Sequence, residues 1–165
     1  RGGPAPPPPE EVVDLLNRFF AVVVDEVDRH HGLVNKFVGD AALAVFGAPA
    51  PLGDHATCAL AAGRAIARRL AAEVPDGPAG IGVATGDAVA GNVGDPRRFE
   101  YTVIGDPVNE AARLTELAKN APARLLASWT AVESATETEA AQWVAKEEVV
   151  LRGRSRPTTL ASPRS

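Results

Sequence analysis

The sequence predicts an α+β domain, a mixed and largely antiparallel sheet with helices packed on it. Three observations carry that expectation. Apolar residues recur at helical spacing early in the chain, and short β-rich runs alternate with helical segments further on. Several of those runs are joined by Gly-containing breaks that read as hairpins or turns. At 165 residues the chain has the size of one domain and can bury a substantial core.

In order, residues 1–8 read as a Pro-rich linker or frayed end, residues 9–160 as the folded domain and residues 161–165 as a tail. Pro9 to His31 is a helix: Val12, Val13, Leu15, Leu16, Phe19, Phe20, Val23 and Val27 share a face broad enough to pack on a sheet, Glu10 and Glu11 sit in its first turn, and Gly32 ends it. His30 and His31, adjacent on a helix, point in different directions, so a charge at the helix C-terminus suits them better than a metal. Leu33 to Phe46 gives two strand-like runs around Gly39-Asp40, a hairpin. Gly47 to Gly53 is a loop, and Asp54 caps a helix running to about Val74, with His55 solvated in its first turn.

Pro75 to Pro78 is a turn, after which Gly80–Val83 and Ala88–Val93 read as a strand pair around Thr85-Gly86-Asp87. The many glycines there fit close backbone approach to a neighbour or ligand, and fit bulges and turns equally well. Arg124–Ser128 is a strand, Trp129 to about Ala140 a helix, and Gln142–Leu151 with Pro157–Leu160 a final strand pair.

Net charge of −4 without a basic cluster excludes nucleic acid as the expected partner. No apolar stretch approaches bilayer length and no signal peptide is visible, so no membrane contact is expected from this segment. The single cysteine, Cys58, reads as a small buried apolar residue and fits a reducing, cytoplasmic compartment, with tethering through upstream segments left open. Methionine is absent, which leads to the expectation of a piece of a longer polypeptide.

The chemistry concentrates in Arg98 to Leu117. An apolar run (Phe99, Tyr101, Val103, Ile104) meets Gly105-Asp106-Pro107, with Asp106 as expected N-cap and Pro107 as first helical residue. Asn109 and Arg113 then share one helix face. Free N–H groups of a helix start together with a guanidinium suit an anion such as phosphate, although an isolated pair of this kind is more often a helix-terminus residue and a solvated arginine. Leu151-Arg152-Gly153-Arg154-Ser155-Arg156 is a charged turn that either is simply solvated or suits a triphosphate.

Asn35-Lys36-Phe37-Val38-Gly39-Asp40 upstream and Tyr101-Thr102-Val103-Ile104-Gly105-Asp106-Pro107-Val108-Asn109-Glu110-Ala111-Ala112-Arg113 downstream make the chain resemble the class III nucleotidyl cyclase catalytic domain, from about Pro9 to about Leu160. The resemblance implies a ferredoxin-like βαβ core with extra strands and a head-to-tail homodimer, or pairing with a related cyclase chain. It also implies conversion of ATP to 3′,5′-cyclic AMP and pyrophosphate, with two Mg²⁺ or Mn²⁺ ions. By the same resemblance Asp40 is a metal ligand, Lys36 selects adenine, and Thr102 reads the base, as in a threonine-bearing bacterial adenylyl subgroup. Asn109 orients the ribose, Arg113 stabilises the charged transition state, and Arg152 or Arg154 meets the terminal phosphates. The family pattern sends Lys36 and Asp40 to opposite half-sites.

The sequence departs from the family at its start. The strand that carries the other metal-binding aspartate has no counterpart in residues 1–8, and Asp14, Asp25 and Asp28 (in the first helix) and Asp87 and Asp95 (in turns) do not replace it. Two readings follow: an adenylyl cyclase catalytic domain, or a truncated or non-catalytic cyclase-homology module that binds nucleotide or dimerises without turnover. A diguanylate cyclase is disfavoured by the absence of a Gly-Gly-Asp/Glu-Glu-Phe motif.

Overall fold

The computed structural model describes residues 3–77 and 79–165. Arg1 and Gly2 of the expected Pro-rich leader and Pro78 of the expected turn lie outside the described residues. Helix α1 spans Pro9–Arg29, with proline at its start and Glu10 and Glu11 in the first turn, where a carboxylate favours the helix dipole. It stops short of the expected His31, because His31 takes a left-handed φ of 65°. The Gly32 N–H then turns back to donate to the Val27 carbonyl at 2.9 Å.

Strands β1 (Leu33–Val38) and β2 (Ala41–Val45) form the expected antiparallel hairpin around Gly39-Asp40. Helix α2 spans His55–Glu73. Val22, Val23 and Val27 of α1 meet Ile66 and Leu70 of α2, with Val34, Ala42 and Ala44 of the hairpin packed against them. The stripe on α1 therefore packs on a helix as well as on strands. Asp54 stands at the N-cap of α2 without a side-chain cap bond. Cys58 is buried, and burial pushes its thiol pKa up, with the Asp54 charge adding to the effect.

The expected pairing between the two glycine-rich strands is not what forms. β3 (Ile81–Val83) runs parallel to β6 (Leu125–Ser128), whereas β4 (Val89–Asp95) pairs antiparallel with β5 (Arg98–Ile104) from Val89 opposite Ile104 to Asp95 opposite Arg98. The reason is visible at Gly82. A Cβ there would collide with the Ala111 carbonyl and come within 2.6 Å of the Thr115 backbone nitrogen, so helix α3 (Asp106–Ala118) lies directly on β3 and commits that strand to the core. Gly91, in contrast, faces open space.

The helix expected over Trp129–Ala140 divides into α4 (Trp129–Glu133) and α5 (Glu137–Ala140). Thr136 breaks it: its backbone is extended, its N–H donates to Thr57 Oγ1 at 2.9 Å, and its own hydroxyl accepts from the Glu139 N–H. Strands β7 (Trp143–Val149) and β8 (Thr158–Pro163) complete the fold, and β8 runs past Leu160 into the segment expected as tail.

Among the described residues three sheets result: β1-β2, β4-β5, and a four-stranded sheet in the order β3-β6-β8-β7. Trp143, Leu125, Leu60 and Val83 centre one core cluster; Leu114, Ala118, Leu126, Leu151 and Leu160 bind α3 and the charged turn to the sheet. No helix among the described residues is long and apolar enough to cross a membrane.

Candidate functional site

Gly105 sets where α3 begins. Its φ of 153° with ψ of 174° belongs to a region that only glycine occupies freely, and a Cβ would press on Asp87 and Ala88 at 3.1 Å. Gly105, rather than Asp106, is consequently the N-cap, and Asp106 is the first helical residue. Its carboxylate makes no cap bond and instead receives two bonds from Arg154, from Nε at 2.8 Å and Nη2 at 2.7 Å. Those bonds hold the Asp106 carboxyl below its ordinary range and raise the Arg154 guanidinium. Arg154 also donates to Glu110 Oε2 and Thr158 Oγ1, and the Thr158 hydroxyl donates to Glu110 at 2.6 Å.

Arg154 is thus a tie between α3 and β8. Its side chain is 9% exposed and four of its five donors are spent on the protein. Arg152, two residues away, is exposed and lines a cleft of about 310 Å³ together with Asn109, Ala112, Arg113 and Gly153. Of the two arginines expected near phosphate, Arg152 faces this cleft and Arg154 supports it from behind. Asn109 and Arg113 enter from one face of α3, one turn apart. Arg113 gives one donor to Glu116 at 3.3 Å, which leaves most of its fork for a ligand. An adjoining cleft of about 270 Å³, lined by Arg113, Leu117, Val149, Val150 and Arg152, is more apolar. Two guanidinium groups, an amide and a glycine backbone in one recess are chemistry for an oxyanion.

Lys36, Thr102 and Asp40 lie elsewhere. Lys36 Nζ is 4.0 Å from Glu100 Oε1, and the Thr102 hydroxyl donates to the Glu100 backbone carbonyl at 3.4 Å, so both lie beside Glu100 of β5. Asp40 is exposed at the tip of the β1-β2 hairpin. None of the three lines the arginine cleft of the same chain. Among the described residues no group of three or more His, Cys, Asp or Glu could hold a metal ion. Asp40 alone is one carboxylate, too few donors for a pair of divalent ions, and the described residues therefore do not fit a two-ion centre.

Sequence reasoning missed two residues that shape the site. Glu110, buried in the middle of α3, anchors Arg154, and Asn35 reaches from β1 to β5 with its Nδ2 donating to the Tyr101 carbonyl at 2.8 Å. Asn35 carried a signal, a polar residue in the run Leu33-Val34-Asn35-Lys36-Phe37-Val38; the partner of Glu110 lies 44 residues on and carried none.

Comparison with known proteins places this geometry. Residues 5–161 match the family model of the adenylate and guanylate cyclase catalytic domain. The uncharacterized proteins Rv1319c and Rv1318c of Mycobacterium tuberculosis H37Rv are 65% and 63% identical over 156 residues, or 94% of this chain. The chain spans 29% of the length of each. Among solved structures, the adenylyl cyclase CyaB from P. aeruginosa superposes with a TM-score of 0.80 at 26% identity, covering 96% of this chain and 85% of that one. The guanylyl cyclase Cya2 does so with a TM-score of 0.76 at 29% identity, covering 94% and 81%. With its mixed α+β fold and both motif stretches inside the matched range, the chain belongs to the adenylate and guanylate cyclase catalytic domain family.

Proposed function

We propose that this domain is an adenylyl cyclase that works as a dimer, converting ATP to 3′,5′-cyclic AMP and pyrophosphate in intracellular signalling. The reaction forms a bond between the ribose 3′-oxygen and the α-phosphorus and breaks the bond from that phosphorus to the bridging oxygen of the leaving pyrophosphate. The hydroxyl proton passes to solvent. The observation that carries the reading is the cleft in which Asn109, Arg113 and Arg152 converge. Arg113 and Arg152 balance the charge of the phosphates, and Asn109, a turn before Arg113, has the donor and acceptor needed to orient the ribose.

Selection of ATP rests on Lys36 and Thr102. An ammonium only donates and so favours the unprotonated ring nitrogen of adenine over the N–H of guanine, while a threonine hydroxyl accepts from the adenine amino group. A glutamate in place of Lys36 reverses that preference. Because Asp40 stands apart from the cleft of its own chain, a complete site draws on two copies, Asp40 from one and Lys36, Thr102, Asn109 and Arg113 from the other, in keeping with a family whose catalytic domains bind nucleotide and function as dimers. The family generally uses Mg²⁺ or Mn²⁺. Among the described residues Asp40 has no cluster of further metal-binding side chains around it, and the roles above belong to the chain's own side chains.

The lack of a metal-binding cluster among the described residues favours a second reading, a non-catalytic cyclase-homology module that binds nucleotide or dimerises without turnover. One experiment separates them. Full-length protein containing this domain is incubated with ATP or GTP and Mn²⁺, and cyclic products are resolved by chromatography. The first reading expects cyclic AMP from ATP, little cyclic GMP, and a loss of about 100-fold or more in Arg113→Ala. ATP binding by calorimetry without product supports the second, and cyclic GMP as the main product overturns the assignment to ATP.

A further inference from the structure

The β1-β2 ladder slips by one residue: Val34 pairs with Ala44 and Lys36 with Leu43, which leaves Asn35 as the extra residue of a bulge. A bulge re-aims a side chain that regular alternation would send elsewhere. Asn35 uses it to cross to another ladder, where its Nδ2 donates to the Tyr101 carbonyl of β5 at 2.8 Å. The β1-β2 and β4-β5 ladders are not hydrogen-bonded to each other as a sheet. The amide orientation is determined, since reversing it would set one carbonyl oxygen against another.

The other end of the same amide is anomalous. Asn35 Oδ1 is buried and has no hydrogen-bond partner among the described residues. An orphaned buried acceptor costs stability, and an apolar side chain of similar size would avoid that cost. With its acceptor unpaired within the protein, the amide acts here through its donor. The residues that follow Asn35 and Tyr101 in the chain are Lys36 and Thr102, both of which touch Glu100.

We infer that Asn35 is the positioning residue of the base-reading pair, clamping β1 to β5 so that Lys36 and Thr102 present one edge to an adenine ring. The inference rests on the reading that Lys36 and Thr102 select the base. It assigns Asn35 no contact with the phosphates, which belong to Asn109, Arg113 and Arg152.

The test is calorimetric binding of ATP, GTP and inorganic tripolyphosphate to the full-length protein and to Asn35→Leu and Asn35→Asp, with melting temperatures recorded alongside. Leucine removes the donor and the orphaned acceptor together; aspartate keeps the size and removes the donor. Both variants are expected to bind ATP about tenfold more weakly, the worth of one lost hydrogen bond, with GTP and tripolyphosphate held within about twofold. Asn35→Leu is expected to melt no lower than wild type. If wild type prefers ATP and both variants keep that preference, the role of Asn35 is overturned while base selection by Lys36 stands. If wild type binds tripolyphosphate but does not prefer ATP, the base-reading assignment falls and the clamp with it. Weakening of all three ligands together, or a large drop in melting temperature in both variants, marks Asn35 as structural and overturns the inference.

Discussion

Arg152 and Arg154 are two residues apart in one turn, and sequence offered no way to rank them. Neighbouring chemistry divides them: Asp106, Glu110 and Thr158 surround Arg154, whereas Arg152 opens onto Asn109 and Arg113. Their substitutions are expected to fail in different ways. Arg152→Ala leaves the fold intact and raises KM for the nucleotide about tenfold, as loss of one charge-assisted contact does. Arg154→Ala strands the buried Glu110 carboxylate and costs about 3 kcal/mol of stability, the usual penalty for breaking a buried pair. Denaturant titration and steady-state kinetics on both variants check this, and equal stability in the two would refute the division. Lys36, Thr102, Asn109 and Arg113 could be named as candidates because two motif stretches resemble the cyclase family. Glu110 was not, because it acts through a partner far along the chain.

Helix α3 shows what governs legibility at the scale of an element. Its existence followed from a β-rich run, a Gly-Asp-Pro break and a helical segment, but the cap was misassigned by one residue. Asp106 is a good N-cap by type, and only the three-dimensional return of the chain at Arg154 makes its carboxylate more useful outside the helix. The same limit produced the wrong partner for β3, since parallel pairing with β6 spans the whole of α3 and leaves no local trace. It also hid the break at Thr136, where Thr57 of α2 takes over a backbone donor. The Asp106–Arg154 tie carries a pH signature. Its folded pKa lies below the ordinary 3.8, so the stability it adds is complete above about pH 4 to 5 and is lost as pH falls through the depressed folded value. Asp106 is largely exposed and the gain is small. Thermal melts of wild type and Asp106→Asn are expected to differ near neutral pH and to converge on acidification; a difference that grows at low pH would contradict the tie.

At the scale of the molecule, the apolar surface is unevenly spread. Phe37, Val38, Val89, Val93, Phe99 and Ile104 are all more than half exposed, and all lie on the two hairpin ladders rather than on the four-stranded sheet. Apolar side chains gathered outside a core mark an interaction surface, which the proposed dimer would cover with a second copy of the chain. The arginine cleft and Asp40 are separate in one protomer, so a symmetric pair would contain two sites, each mixing both chains. If Asp40 serves one site and Lys36 with Arg113 the other, two disabled full-length proteins repair each other. A Lys36→Ala/Arg113→Ala chain keeps its own Asp40, and an Asp40→Ala chain keeps its Lys36 and Arg113, so their heterodimer holds one intact site and one site that lacks all three residues. Random mixing makes half of all dimers mixed, and with one working site in each the activity should recover to about a quarter of wild type, from near zero in either variant alone. Cyclic AMP formation measured across mixing ratios checks the value, with its maximum at equimolar chains. No recovery from a mixture shown to contain heterodimers would mean that Asp40 and Lys36 serve the same site, and the two-chain arrangement would have to be abandoned.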